Sequence, residues 1–405
     1  MITRSALDTA GIKQRTEHIS ERVRNIIISP IKEIALLAST KTDVVSFAWG
    51  IPYVETPLHI REALRTALLN DPLLGRYAPT LGLPTLRQAT AEKIIKQFNI
   101  KVDPLSEIFI SAGAMELLMV AMQAVVNPGD EVIITDPGFA SYQEQITLAG
   151  GVPKFLPLLE KQGWAMDVAA LPKLITKKTK AIILCSPNNP TGTIFRAADL
   201  NVIADTVLEH NLILVTDEPY QFLTYDGLTC PTLVGDDRLR NNRISCFSFS
   251  KEYAMTGYRV GYVFAEAGMI RQLLKVHDNT LVSAPRPSQV AALAALQGDQ
   301  QCVEDLRLTL QRRRDVMCEQ LDNLSKWFSY VKPQGSYYVF VNFLPEAVND
   351  VQMALDILNE AGVALVPGSA FGPNGQNHFR LCFGCTEPDI IKGMGRLKKF
   401  LEKHY

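Results

Sequence analysis

One stretch of this chain gathers residue types that chemistry uses more than packing does. In "ISCFSFSKEYAMTGYRVGYVFA", residues 244–265, a run of β-branched and aromatic residues leads into Ser248, Ser250 and Lys251, and Arg259 opens the next apolar run after Gly257. A lysine standing alone at a strand end reads as a solvated surface charge. Here a second cation follows close by, and like-charge repulsion together with partial burial lowers a lysine pKa. A neutral amine is what Schiff-base formation with a carbonyl requires. Hydroxyls and a guanidinium are the donors that gather around a phosphate. The set Lys251, Ser248, Ser250 and Arg259 therefore fits an aldehyde that carries a phosphate group.

Asp217, in "LILVTDEPY", extends this chemistry. Its plain reading is a turn aspartate at the end of a strand. Its functional reading is a carboxylate that keeps a proton on a ring nitrogen, so that the ring withdraws electrons. Pyridoxal phosphate (PLP) needs such a partner to act as an electron sink. Tyr220 and Asn189 would then hydrogen-bond the ring's phenolic oxygen. Glu218 is set aside, because adjacent residues of a strand face opposite ways.

The elements that must position these residues alternate between helix and strand patterns. "EVIITDPGF", "KAIILCSPNNPTG", "LILVTDEPY" and "RISCFSFSK" read as buried strands, and their carboxyl ends deliver Asp136, Asn188 with Asn189, Asp217, and Ser250 with Lys251. Apolar spacing over 114–126 and in "RAADLNVIADTVLEHN" predicts amphipathic helices between them. The expectation is an α/β fold, a three-layer sandwich about a mainly parallel sheet, with the ligand outside the strands' carboxyl ends. After Pro287 the pattern becomes α+β: a long charged helix, then "GSYYVFVNF", "GVALVPGSAFG" and "HFRLCFG" as short strands, then a last helix from about Glu387. The expected division is a large PLP-binding domain over 44–285 and a small domain formed by 1–43 and 286–405.

With these residues in place, "SFSKEYAMTGYRVGY", "SPNNPTG" and "VTDEPY" resemble the signatures of class I/II PLP-dependent aminotransferases of fold type I. "FAWGIPYVETP" is similar to that family's early glycine loop, "RYAPTLGLPTLRQA" to its tyrosine segment, and "PGSAFGPNGQNHFRLCFG" to its carboxylate-binding segment. The resemblance covers nearly the whole chain. One short match arises by chance; six with family-like spacing are specific.

The resemblance implies a role for each position. Lys251 carries the cofactor and, once freed, acts as the base and acid of the proton shift. Asp217 pairs with the pyridine nitrogen, and Tyr220 and Asn189 with the ring oxygen. Ser248, Ser250 and Arg259 bind the phosphate, joined by the N–H groups of Ala114 and Met115 where a helix opens. Phe139 stacks on the ring, an ordinary core aromatic being the alternative. Arg380 clamps the substrate α-carboxylate in bidentate fashion, with Gly50 and Asn189 lining the same pocket. Tyr77 reaches the phosphate of a neighbouring subunit in a homodimer, against the plain reading of a surface loop aromatic. The activity implied moves an amino group from an α-amino acid to a 2-oxo acid by a ping-pong mechanism.

Bulk properties narrow the alternatives. With 47% hydrophobic and 20% charged residues and a net charge of -1, the chain can build a large core and offers no electrostatic footprint for nucleic acid or anionic membrane. Seven thinly spread cysteines suit a reducing compartment, and Cys382 with Cys385, lacking a second such pair, reads as two small apolar residues rather than a metal site. No signal-like segment is present and no apolar run nears the roughly 20 residues of a membrane span, so a cytoplasmic protein is expected. Ala114 and Asn279 stand where dicarboxylate enzymes of the family carry a cation, and Arg286 between two prolines reads as structural. A neutral donor (alanine-like, aromatic or methionine-like) is therefore expected, an aspartate enzyme with another second clamp staying open. A C–S β-lyase or synthase of the same fold is the alternative reaction. A ligand-sensing regulator would need a DNA-binding domain before Gly50 and a basic excess. A nicotinamide dehydrogenase would need a G-x-G-x-x-G after a strand, which the sequence lacks.

Overall fold

The computed structural model of the chain describes residues 18–26, 30–345 and 348–405. Residues 1–17 of the expected small-domain segment 1–43 lie outside that description, as do 27–29.

An eight-stranded sheet runs in the order Ile108–Ser111, Gly261–Ala265, Arg243–Ser248, Ile213–Asp217, Thr179–Cys185, Glu131–Asp136, Val152–Leu159, Ala165–Met166. The four strands expected from apolar runs pair in parallel, with Cys185 opposite Asp217 and Asp217 opposite Cys246. Their polar carboxyl ends thus share one edge of the sheet. Gly261–Ala265 runs antiparallel between Ile108–Ser111 and Arg243–Ser248. The reason is length: two short helical turns, Phe249–Glu252 and Thr256–Tyr258, connect it to the preceding strand. A parallel return would need a crossover of a dozen residues or more.

Helices complete the α/β sandwich. Ala197–Glu209 buries Leu200, Ile203, Ala204 and Val207, an i, i+3, i+4, i+7 stripe. Leu200, Ile203 and Val207 each contribute roughly 1.5–3 kcal/mol on leaving water. Ala114–Val125 sets its apolar residues against the sheet and starts at Gly113, where a φ of 90° turns the chain sharply out of Ile108–Ser111. Only glycine adopts that backbone freely.

A second, antiparallel sheet has the order Phe328–Tyr330, Tyr338–Phe343, His378–Cys382, Val366–Pro367. The long helix Gln301–Asp322 and the last helix Glu387–His404 pack together beside it. Val45–Ser46 pairs in parallel with Val363–Ala364, and Asp43 forms ion pairs with Lys392 and Arg396, so the early chain sits on the C-terminal half. Helix Arg286–Gln297 buries Ala291, Ala292 and Ala295 against helices Leu58–Asn70 and Pro84–Phe98. Among the described residues no helix is long and apolar enough to cross a membrane.

Candidate active site

The strand that carries the lysine motif stops at Ser248, earlier than its apolar run suggests. Ser248 Oγ accepts the Ser250 N–H at 3.1 Å and caps the short helix Phe249–Glu252, so Lys251 stands on a helical turn beyond the sheet edge. Lys251 Nζ donates to the Gly50 carbonyl at 2.5 Å and lies 5.6 Å from the centre of the Tyr337 ring. Burial, helped by repulsion from Arg380 and Arg259 and opposed by Cys382 and Asp217, brings its pKa down to about 8. The amine is therefore freed about two pH units lower than a solvated lysine would be.

Asp217 closes the neighbouring strand and is buried. Its Oδ2 accepts the Tyr142 hydroxyl at 2.7 Å, while Oδ1 has no partner. Burial raises its pKa to about 6, against the opposing pull of the Tyr142 bond and the Lys251 charge. A buried acceptor left bare is costly. A protonated ring nitrogen would supply the donor this oxygen lacks.

The opening of helix Ala114–Val125 has the groups that could hold a phosphate. The first amides of a helix have no acceptor within it, and their dipoles favour an anion. Arg259, held in the left-handed region at φ 51°, reaches Ser250 Oγ at 3.5 Å and the carbonyls of Thr256 and Ala112 at 3.1 and 3.4 Å. A Cβ on Gly113 would lie 2.7 Å from Arg259 Nη2, and one on Gly261 would lie 3.1 Å from the Ala114 nitrogen. Glycine at both positions lets the backbone and the guanidinium come together. Ser248 Oγ, used as an acceptor, keeps its own O–H to donate. The bare Asp217 oxygen, the low-pKa lysine and this cradle fit PLP.

Arg380 sits in the middle of the second sheet, 2% exposed. Its Nη2 donates to the Ala48 carbonyl at 2.6 Å and its Nη1 to Asn189 Oδ1 at 3.2 Å. Nε is buried without a partner, and the guanidinium lies 4.3 Å from the Tyr338 ring centre and 5.1 Å from that of Phe371. Among the described residues no carboxylate pairs with it. A buried, uncompensated arginine is a receiver for a carboxylate from outside.

Tyr338 joins the two halves, its hydroxyl 3.1 Å from that of Tyr220. Gly50 must lack a side chain here, since a Cβ would lie 2.1 Å from the Tyr338 hydroxyl oxygen. Tyr337 donates to the Gly50 carbonyl at 2.9 Å, the oxygen that Lys251 also uses. Phe139 is half-buried and meets the Tyr142 ring edge-on at 5.4 Å. Tyr77, 81% exposed, is left on the surface by this one chain.

Three tyrosines and a glutamine contact this cluster without having been singled out from sequence: Tyr142, Tyr337, Tyr338 and Gln145. Tyr142 and Gln145 lie one turn apart on helix Ser141–Leu148, and Gln145 Nε2 donates to the Met115 carbonyl at 2.9 Å. That helix follows a strand with a polar carboxyl end, so the rule that selected Asp136 also points to it. The paired tyrosines of "GSYYVFVNF" were a signal too, as consecutive residues at a strand start reach two sides. Of the residues weighed for a second carboxylate, Asn279 bonds the Lys275 carbonyl of its own helix at 2.8 Å, and Arg286 lies 3.7 Å from Asp71.

Comparison with known proteins places this geometry. Residues 42–397 match the family model of aminotransferase class I and II. The chain is 35% identical to an aspartate aminotransferase of Pyrococcus abyssi, over 95% of this chain and 98% of that one. It is 32% identical to an aromatic-amino-acid aminotransferase of Thermococcus litoralis over the same shares. Among solved structures, an aspartate aminotransferase from Thermus thermophilus with maleate superposes with a TM-score of 0.87 at 33% identity, covering 94% of this chain and 99% of that one.

Proposed function

The chain belongs to the class I and II aminotransferases, PLP-dependent enzymes of fold type I acting on amino acids and oxo acids, and from that premise we propose a ping-pong transfer of an amino group centred on Lys251. The observation that carries the proposal is the bare Oδ1 of buried Asp217 in one cluster with an amine whose pKa is about 8. When bound, PLP supplies an aldehyde for a Schiff base with Lys251 and a ring that withdraws electrons from the bond to be broken. Asp217 keeps the proton on the ring nitrogen. Arg259, Ser248, Ser250 and the amides of Ala114 and Met115 hold the phosphate, Tyr220 and Asn189 face the ring oxygen, and Phe139 covers the ring.

Arg380 receives the α-carboxylate, presenting two parallel N–H groups and so fixing the α-carbon. Lys251, released from the cofactor, takes the α-proton and returns it, a task for which a pKa of about 8 is well matched. The names of the relatives favour transfer over the β-lyase and synthase reactions of the same fold. An aspartate donor calls for a second cation, which Ala114 and Asn279 do not offer and which Arg286 supplies only at the expense of Asp71. We assign a neutral donor of the aromatic class, as in the name of the Thermococcus relative.

The proposal includes a homodimer in which Tyr77 completes the partner's phosphate site. It also divides the chain into a cofactor-binding body, 44–285, and a smaller body from 1–43 and 286–405, with helix Arg286–Gln297 tying the second to the first. Its seven cysteines, all free, suit the cytoplasm. The test is an absorbance spectrum of the PLP-loaded protein. Tyrosine or phenylalanine should bleach the yellow band and a 2-oxo acid should restore it. A band that survives every amino donor would remove transfer from the account.

A further inference from the structure

Next to the helix opening of the phosphate cradle lies a glutamate–histidine contact that the proposed chemistry does not use. Glu116, third residue of helix Ala114–Val125, sends Oε2 back to accept the Ala112 N–H at 2.6 Å. Its Oε1 meets Nδ1 of His277 at 2.5 Å. His277, on helix Ala267–Leu281, is fully buried, its ring 4.9 Å from that of Phe109 on the strand that enters the cradle. Residue Ala112 is thus held through the two peptide units that flank it, its N–H by Glu116 and its carbonyl by Arg259 Nη2 at 3.4 Å. In a capping box the acidic residue at this helical position reaches back to the N-cap amide. Here it reaches one residue further and holds the Ser111–Ala112 peptide, just ahead of the Gly113 turn.

We propose that Glu116, held by His277, is a positioning residue for the cofactor phosphate: it locks the Ala112–Gly113 turn so that the helix amides and Arg259 face one anion. This rests on the cradle assigned above. Locking the turn beforehand spares the bound state the cost of ordering it. The benefit applies to the phosphate and to no other part of the cofactor, which makes the claim separable from general stability.

The experiment compares the affinity of the full-length, cofactor-free chain for PLP and for pyridoxal, which lacks the phosphate. Glu116→Ala should weaken PLP by about ten-fold, the scale of losing a charge-assisted anchor, while leaving pyridoxal within about two-fold. Glu116→Gln, whose amide still accepts from Ala112, should keep most of the preference for PLP. Should Glu116→Ala fail to fold, His277→Gln tests the same point, with an expected loss of about three-fold for PLP alone. Equal weakening of both ligands, or of neither, would overturn the inference. Arg259→Ala is the control. If it too leaves the PLP-to-pyridoxal preference intact, the cradle itself is misassigned; if it abolishes the preference while Glu116→Ala does not, only the role of Glu116 falls.

Discussion

Lys251 and Asp217 are both driven by burial towards their neutral forms, the lysine down to about 8 and the aspartate up to about 6. For the lysine the charged form is penalised in the folded chain. Below about pH 8 it is protonated and inert; between 8 and its ordinary value of about 10.4 it is a free amine where a solvated lysine is not. The rate at which cofactor-free protein condenses with PLP, read from the growth of the visible band, should therefore rise through about pH 8 and then level off. A rate still climbing at pH 10 would describe a solvated lysine and contradict the site. The chemistry of these two residues was legible in sequence, because their types and their place at strand ends say what they can do. The size of each shift was not. It depends on neighbours such as Arg380 and Cys382, more than a hundred residues away in the chain.

At the scale of elements, helix Ser141–Leu148 connects the two ends of the site, Tyr142 bonding Asp217 and Gln145 bonding Met115. Tyr142→Phe leaves a buried carboxylate with neither oxygen partnered. The cofactor-free variant should lose about 1–3 kcal/mol in urea denaturation. Unchanged stability would show that the bond carries no weight. The strands Glu131–Asp136, Thr179–Cys185 and Ile213–Asp217 were legible because a strand buried on both faces is a continuous apolar run. The end of Arg243–Ser248 was less so: Phe249 keeps the apolar run going although the Ser248 cap has already turned the chain into a helix. Nor did the sequence disclose that Gly261–Ala265 returns antiparallel, since apolar patterning carries no direction. The Glu116–His277 contact spans 161 positions and has no local signal at all.

For the whole molecule, the proposal requires two chains. Leu68, Leu69 and Tyr77 are 65%, 75% and 81% exposed at one end of helix Leu58–Asn70 and in the loop beyond it. The proposed interface would cover these apolar side chains. Sedimentation should give a dimer, and Tyr77→Ala should weaken PLP binding several-fold while the protein stays folded, since it removes one hydrogen bond to phosphate. A monomer with full activity would refute the shared site. The central claim is that Lys251 bears the cofactor and surrenders it to an amino donor. Its most direct test is borohydride reduction of the PLP-loaded protein followed by peptide mapping, with and without prior addition of the donor. The account predicts a pyridoxyl group on Lys251 alone, absent when donor is added first. A label on another lysine, or one on Lys251 that the donor fails to prevent, would contradict it.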